Sequence, residues 1–141
     1  MSHSIDFNRE LGVIVLRYRG TVDFTEIKHA FDELVLVQGF RPGICLVADF
    51  RECHTVLTGS DVSQLADYAR RTDAKWGSTR WVILAEKDLT FGLSRMYATL
   101  VSDCQVTTHV FRNAFDADDW LGLGIEMENI LAETPEFAAT V

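Results

Sequence analysis

The sequence predicts one α/β domain on a mixed five-stranded sheet, with its elements in the order β-β-α-β-α-β-α-β-α. Three observations predict it. Two continuous apolar runs, Ile44–Ala48 and Trp81–Ala85, lack polar alternation and read as strands buried on both faces of a parallel sheet. Amphipathic helical stretches separate the strand-like runs, and strands alternating with helices imply parallel pairing through crossovers. A short link at Leu11-Gly12 joins the first two strand-like segments, which implies an antiparallel hairpin at one edge.

Each element has its own local signal. Ile5–Glu10 is the first strand, and Val13–Arg19 is a β-branched run closed by Gly20. Asp23 with Glu26 three residues on is a capping-box arrangement, and Ile27, Ala30, Phe31 and Leu34 repeat on one helical face. Gly39 and Pro42 stop that helix. After Ile44–Ala48, a loop is expected from Arg51 to Gly59. The second helix starts near Ser60, with Val62, Leu65, Ala66 and Ala69 inside. Trp81–Ala85 follows. In the third helix Leu93, Met96, Tyr97, Leu100, Val101 and Cys104 recur at helical spacing, so Leu93, Met96, Tyr97 and Leu100 are expected in the core with Leu46, Val47 and Ile83. Thr107–Phe111 is the last strand. Asp116 opens a fourth helix carrying Trp120 and Leu121, which breaks at Gly122 and Gly124 and resumes over Ile125–Glu133. Residues 1–134 form the domain, and 135–141 after Pro135 form a tail.

Composition narrows the function classes. At 141 residues with 48% hydrophobic and 24% charged, the chain supports one core. Two prolines exclude a Pro-rich linker. Thirteen basic against 21 acidic residues give a net charge of −8, which opposes binding to nucleic-acid phosphates and anionic membranes. Net negative charge also keeps a protein soluble. Cys45, Cys53 and Cys104 have no paired spacing, so no disulfide framework and a reducing, cytoplasmic setting are expected. Cys45 and Cys104 lie in apolar patterns, and Cys53 lies in a polar stretch as a candidate free thiol. Met1–Asp6 has no basic region before an apolar run, so neither a signal peptide nor a membrane span is expected.

Several stretches together resemble a known family. They are Gly12-Val13-Ile14-Val15 leading to Gly20, Leu46-Val47-Ala48-Asp49-Phe50-Arg51, Val82-Ile83-Leu84-Ala85, Ser94-Arg95-Met96-Tyr97, and Val110-Phe111-Arg112 before Trp120-Leu121. The pattern resembles the STAS fold of bacterial anti-sigma-factor antagonists, and more closely a SpoIIAA-like branch grouped with SEC14-type lipid-binding domains. The resemblance implies a non-enzymatic regulatory or protein-interaction module, or alternatively a carrier or sensor of a small apolar ligand or lipid. Antagonists of the switch type carry an Asp-Ser-Ser-Gly-like stretch at the start of the second helix, with a phosphorylated Ser. Here the region reads Leu57-Thr58-Gly59-Ser60-Asp61, in a different order, so that role does not carry over.

The segment from Asp49 to Asp61 is the candidate working surface, because it leaves the C-terminal end of a parallel strand and enters a helix N-terminus. Its candidate residues are Asp49, Arg51, Thr58, Ser60 and Asp61, joined by Arg95 from the third helix as an exposed cation. Thr58 or Ser60 caps the helix, and Asp61 complements the dipole in its first turn. Cys53-His54 suggests a nucleophile and base, yet adjacent residues on extended backbone point apart. His3, His29, His54 and His109 are scattered, with no metal-ligand spacing, and no phosphate-binding glycine motif occurs. No cofactor is implied. A homodimer is expected from the late apolar surplus of Trp120, Leu121, Leu123, Ile125, Met127, Ile130 and Leu131.

Overall fold

The computed structural model describes residues 3 to 122. Nine elements follow one another: β1 (His3–Asn8), β2 (Val13–Asp23), α1 (Phe24–Leu34), β3 (Cys45–Val56), α2 (Gly59–Trp76), β4 (Thr79–Leu84), α3 (Asp88–Leu100), β5 (Val106–Phe111) and α4 (Ala114–Leu121). The strands form one sheet in the order β1-β2-β3-β4-β5. β1 runs antiparallel to β2, and all other neighbours are parallel. The two apolar runs that read as neighbouring buried strands pair directly, with Leu46 opposite Trp81 and Ala48 opposite Ile83.

Every parallel connection steps the same way across the sheet, which keeps α1, α2 and α3 on one face. That face holds the larger core. Ile14, Leu16, Tyr18, Leu46, Trp81 and Ile83 of the strands meet Ile27 and Leu34 of α1, Leu65 and Trp76 of α2, and Tyr97 of α3 with Val101 just past it. Aromatic contacts stiffen it: Trp76 meets Trp81 edge-on at 4.8 Å, and Tyr18 stacks on Phe50 at 4.6 Å. On the opposite face Val13, Val15, Val47, Val82 and Leu84 pack with Ala114, Ala117 and Leu121 of α4.

Local chemistry sets the helix boundaries. Asp23 caps α1 by accepting the Glu26 N–H, as its spacing predicts. α2 ends at Gly77, whose φ of +71° favours glycine and whose Cβ, were there one, would lie 3.3 Å from Pro42. Asp73, near that end, accepts from the Gln105 and Val106 N–H groups and so ties α2 to the start of β5. α4 is capped by Asn113, which accepts the Asp116 N–H, so Asp116 lies in the first turn instead of opening the helix.

Two expectations need correction. Residues 51–56, expected as loop, are strand: β3 runs on to Val56 beside β2 after an irregularity in register between Arg17 and Arg19. The core-facing stripe of α3 is also shifted. Thr90, Ser94, Tyr97 and Val101 are buried, Leu93 and Leu100 are half-buried, and Met96 is 38% exposed. Thr90 can be inside because its hydroxyl hydrogen-bonds that of Thr55 at 3.0 Å. The expected helix over Ile125–Glu133, the tail from 135, and the apolar residues from Leu123 to Leu131 lie outside the described residues.

Candidate functional site

The six sequence-predicted site residues fall into three places. Thr58, Ser60 and Asp61 stand together at the start of α2. Thr58 is the N-cap: its hydroxyl accepts the Asp61 N–H at 3.1 Å, and the Asp61 carboxylate accepts the Thr58 N–H at 2.9 Å. This reciprocal box satisfies two backbone donors that the helix would leave orphaned. Thr58 is therefore the cap and Ser60 is not. Ser60 is exposed on the first turn, where Gln64 Nε2 reaches its hydroxyl at 3.5 Å.

Asp49 and Arg51 lie elsewhere and serve the strand. Asp49 is only 2% exposed and, by strand alternation from Val47, faces the α4 side. Arg51 clamps its carboxylate, donating from Nε at 3.0 Å and from Nη2 at 3.2 Å, while the Arg51 backbone N–H donates to Asp49 Oδ1 at 3.0 Å. Arg17 Nε of β2 lies 3.9 Å away. This buried ion cluster sits where the β2–β3 register shifts and holds the irregular backbone in place. Arg95 is in the third place, exposed on α3 with its guanidinium over the Phe91 ring at 5.8 Å.

Residues that composition hid join the α2 start. Met96 reaches across from α3, with its terminal methyl 3.7 Å from where a Gly59 Cβ would stand. Val56, the last residue of β3, is 54% exposed. Met96 and Val56 thus place exposed apolar surface beside the polar cap. The signal for Met96 was misleading, because its place among Leu93, Tyr97 and Leu100 reads as core.

Cys53 and His54 point to opposite faces of β3: Cys53 is 2% exposed and His54 is exposed. The Cys53 thiol donates to the Phe50 carbonyl at 3.4 Å, and burial pushes it up to about 11, only partly offset by Lys87. A thiol held protonated in this way is a poor nucleophile. Among the described residues no group of three or more His, Cys, Asp or Glu side chains is placed to hold a metal. Beneath the helices lies an apolar cavity of about 60 Å³, lined by Tyr18, Phe31, Phe50, Leu65, Trp81 and Leu93 among others. No helix of the described residues is long and apolar enough to cross a membrane.

Strand order, the single antiparallel edge and three helices on one face can be compared with solved structures. An uncharacterized protein of the DUF3478 family from Shewanella loihica PV-4, which has a SpoIIAA-like fold, superposes with a TM-score of 0.55. The match covers 85% of this chain and 92% of that one. The fold is SpoIIAA-like. Sequence identity across the SpoIIAA-like match is 16%, so the likeness carries the architecture alone. The sequence matches no family profile and no curated protein.

Proposed function

We propose that this SpoIIAA-like chain is a non-enzymatic regulatory or protein-interaction module that docks a protein partner at the start of α2. One observation carries the reading: Met96, which reaches the first turn of α2, and Val56, two residues before its cap, expose apolar surface beside a capped helix terminus. Large apolar side chains displayed around ordered backbone are the usual anchors of a protein interface. The cap fixes Thr58 and Asp61, and Ser60 supplies an exposed hydroxyl for specificity. Phosphate on Ser60 would meet the Asp61 carboxylate at short range, so the surface works without an obligate phosphorylation switch.

The alternative reading, a carrier of a lipid or small apolar ligand, needs room. Pockets for drug-sized ligands are about 300–1,000 Å³. The cavity under the helices is about 60 Å³, which supports the interaction module over the carrier.

Photo-crosslinkers placed at position 96 and at exposed Leu36 in the native host test the proposal. The expected result is one protein partner captured from position 96 and not from 36, and lost in Val56→Asp with an unchanged melting curve. Equal capture at both positions, or a lipid mass retained in native mass spectrometry, would overturn it.

A further inference from the structure

We propose that the free edge of β5, with the adjoining face of α3, is a self-complementary interface on which a second copy of this chain adds its own β5 antiparallel and continues the sheet.

The edge comes first. β5 is the terminal strand of the sheet, so no strand among the described residues pairs with its outer side. The Phe111 carbonyl accepts the Ala85 N–H at 3.0 Å, which fixes the phase of the strand. Thr107, His109 and Phe111 turn their main-chain groups toward β4, and Thr108 and Val110 turn theirs outward. The strand reads Val-Thr-Thr-His-Val-Phe. It contains no Lys, Pro, Gly or acidic residue, the devices with which natural sheets blunt an edge. The opposite edge differs: β1 carries Asp6, and Arg9-Glu10 follows it.

The space comes second. Beside the edge runs a groove of about 470 Å³, lined by Arg95, Ala98 and Thr99 of α3, by Ser102 just past that helix, and by Thr108, His109 and Val110 of β5. Thr108 is 9% exposed, and its hydroxyl has no hydrogen-bond partner among the described residues.

Charge selects the occupant. The helix face bordering the groove carries exposed Arg95 near one end and exposed Asp103 just past the other, eight residues on. Among the described residues Asp103 is paired with Arg70 at a long 3.8 Å. A two-fold axis perpendicular to the sheet beside β5 runs the two edge strands antiparallel, keeps both α3 helices on one face, and sets Arg95 of each copy toward Asp103 of the other, which is the self-complementarity an isologous interface needs. The edge strand itself carries no Asp, Glu, Lys or Arg, so strand-to-strand pairing brings no like charges of the acidic chain into register. The interface lies on β5 and α3; most of the late apolar residues on which the sequence placed its homodimer lie outside the described residues.

Sedimentation of the full chain at micromolar concentration tests the proposal, read together with hydrogen exchange. A species of twice the 15.9 kDa chain mass is expected. Thr99→Arg, at an exposed position, should yield monomer with unchanged far-UV circular dichroism. Arg95→Asp should weaken the dimer about tenfold or more, and adding Asp103→Arg should recover it. The Thr108 and Val110 amides should be protected only at concentrations that populate the dimer. If Thr99→Arg fails to fold, the charge swap and the exchange decide. A monomer throughout, a dimer that Thr99→Arg leaves intact, or a double variant no tighter than Arg95→Asp would overturn the proposal. So would edge amides protected independently of concentration, which would mean that the chain's own residues cover the edge.

Discussion

From Leu46 to Asp49, β3 pairs with β2 on one side and β4 on the other, and all four side chains are buried. From Glu52 to Val56 the same strand pairs with β2 alone, and Glu52, His54 and Val56 face solvent while Cys53 and Thr55 face the helices. The contrast shows that the strand changes regime at one ion cluster. Before it, pairing on both sides selects apolar residues on both faces. After it, only an inward row needs to be apolar or internally hydrogen-bonded, and the outward row is available for contact with other molecules.

The largest expected effect falls on the junction. Asp49→Ala leaves Arg17 and Arg51 around a vacated buried carboxylate and should cost about 3–5 kcal/mol in urea unfolding. A loss under about 1 kcal/mol would show that the two halves of β3 do not depend on the cluster. Within the first half, Leu46→Ala should cost about 2–5 kcal/mol. Val56→Ala in the second half should stay within about 0.5 kcal/mol. Equal costs at the two positions would erase the distinction between the halves.

A pH experiment sharpens it further. Burial raises the Cys53 thiol from about 9 to about 11. The folded chain therefore keeps a proton that the unfolded chain releases above about pH 9. The stability linked to this group is fully present below pH 9 and is lost as pH rises through about 11. Burial also raises the Tyr97 and Tyr18 hydroxyls, so alkaline unfolding should persist in Cys53→Ala but with a shallower slope between about pH 9 and 11. An unchanged slope would place Cys53 in a more solvated site. At the small end of the series, Thr58→Ala should cost about 0.5–2 kcal/mol, as expected for a true cap. Ser60→Ala should cost less than about 0.5 kcal/mol. The reverse order would reassign the cap.

The first half of β3 was legible because Ile44-Cys45-Leu46-Val47-Ala48 is apolar without interruption. The second half was not. Its inward residues are Cys53 and Thr55, and the inward role of Thr55 depends on Thr90, a partner 35 positions away. Hydrophobic periodicity cannot register a buried pair of hydroxyls. The same blindness shifted the phase of α3. Buried Thr90 and Ser94 do not count as apolar, while half-buried Leu93 and Leu100 and exposed Met96 do. The capping box at Thr58 and Asp61 was visible as a helix start, but the choice between Thr58 and Ser60 needed coordinates. Arg51 was placed in a loop, and its contact with Asp49 was not anticipated, because a strand that continues past a buried ion pair leaves no apolar run to mark it.

Because the strand order is also the chain order, no strand among the described residues is inserted between two earlier ones. Every sheet contact joins segments adjacent along the sequence, so the loops to be closed are short and folding can proceed without waiting for the C-terminal half. A chain leaving the ribosome can lay each new strand on the edge left by the last, and each following helix covers it. Force on a stalled nascent chain should then rise in steps as α1, α2 and α3 emerge in turn. A single rise after α4 would mean that the sheet assembles all at once.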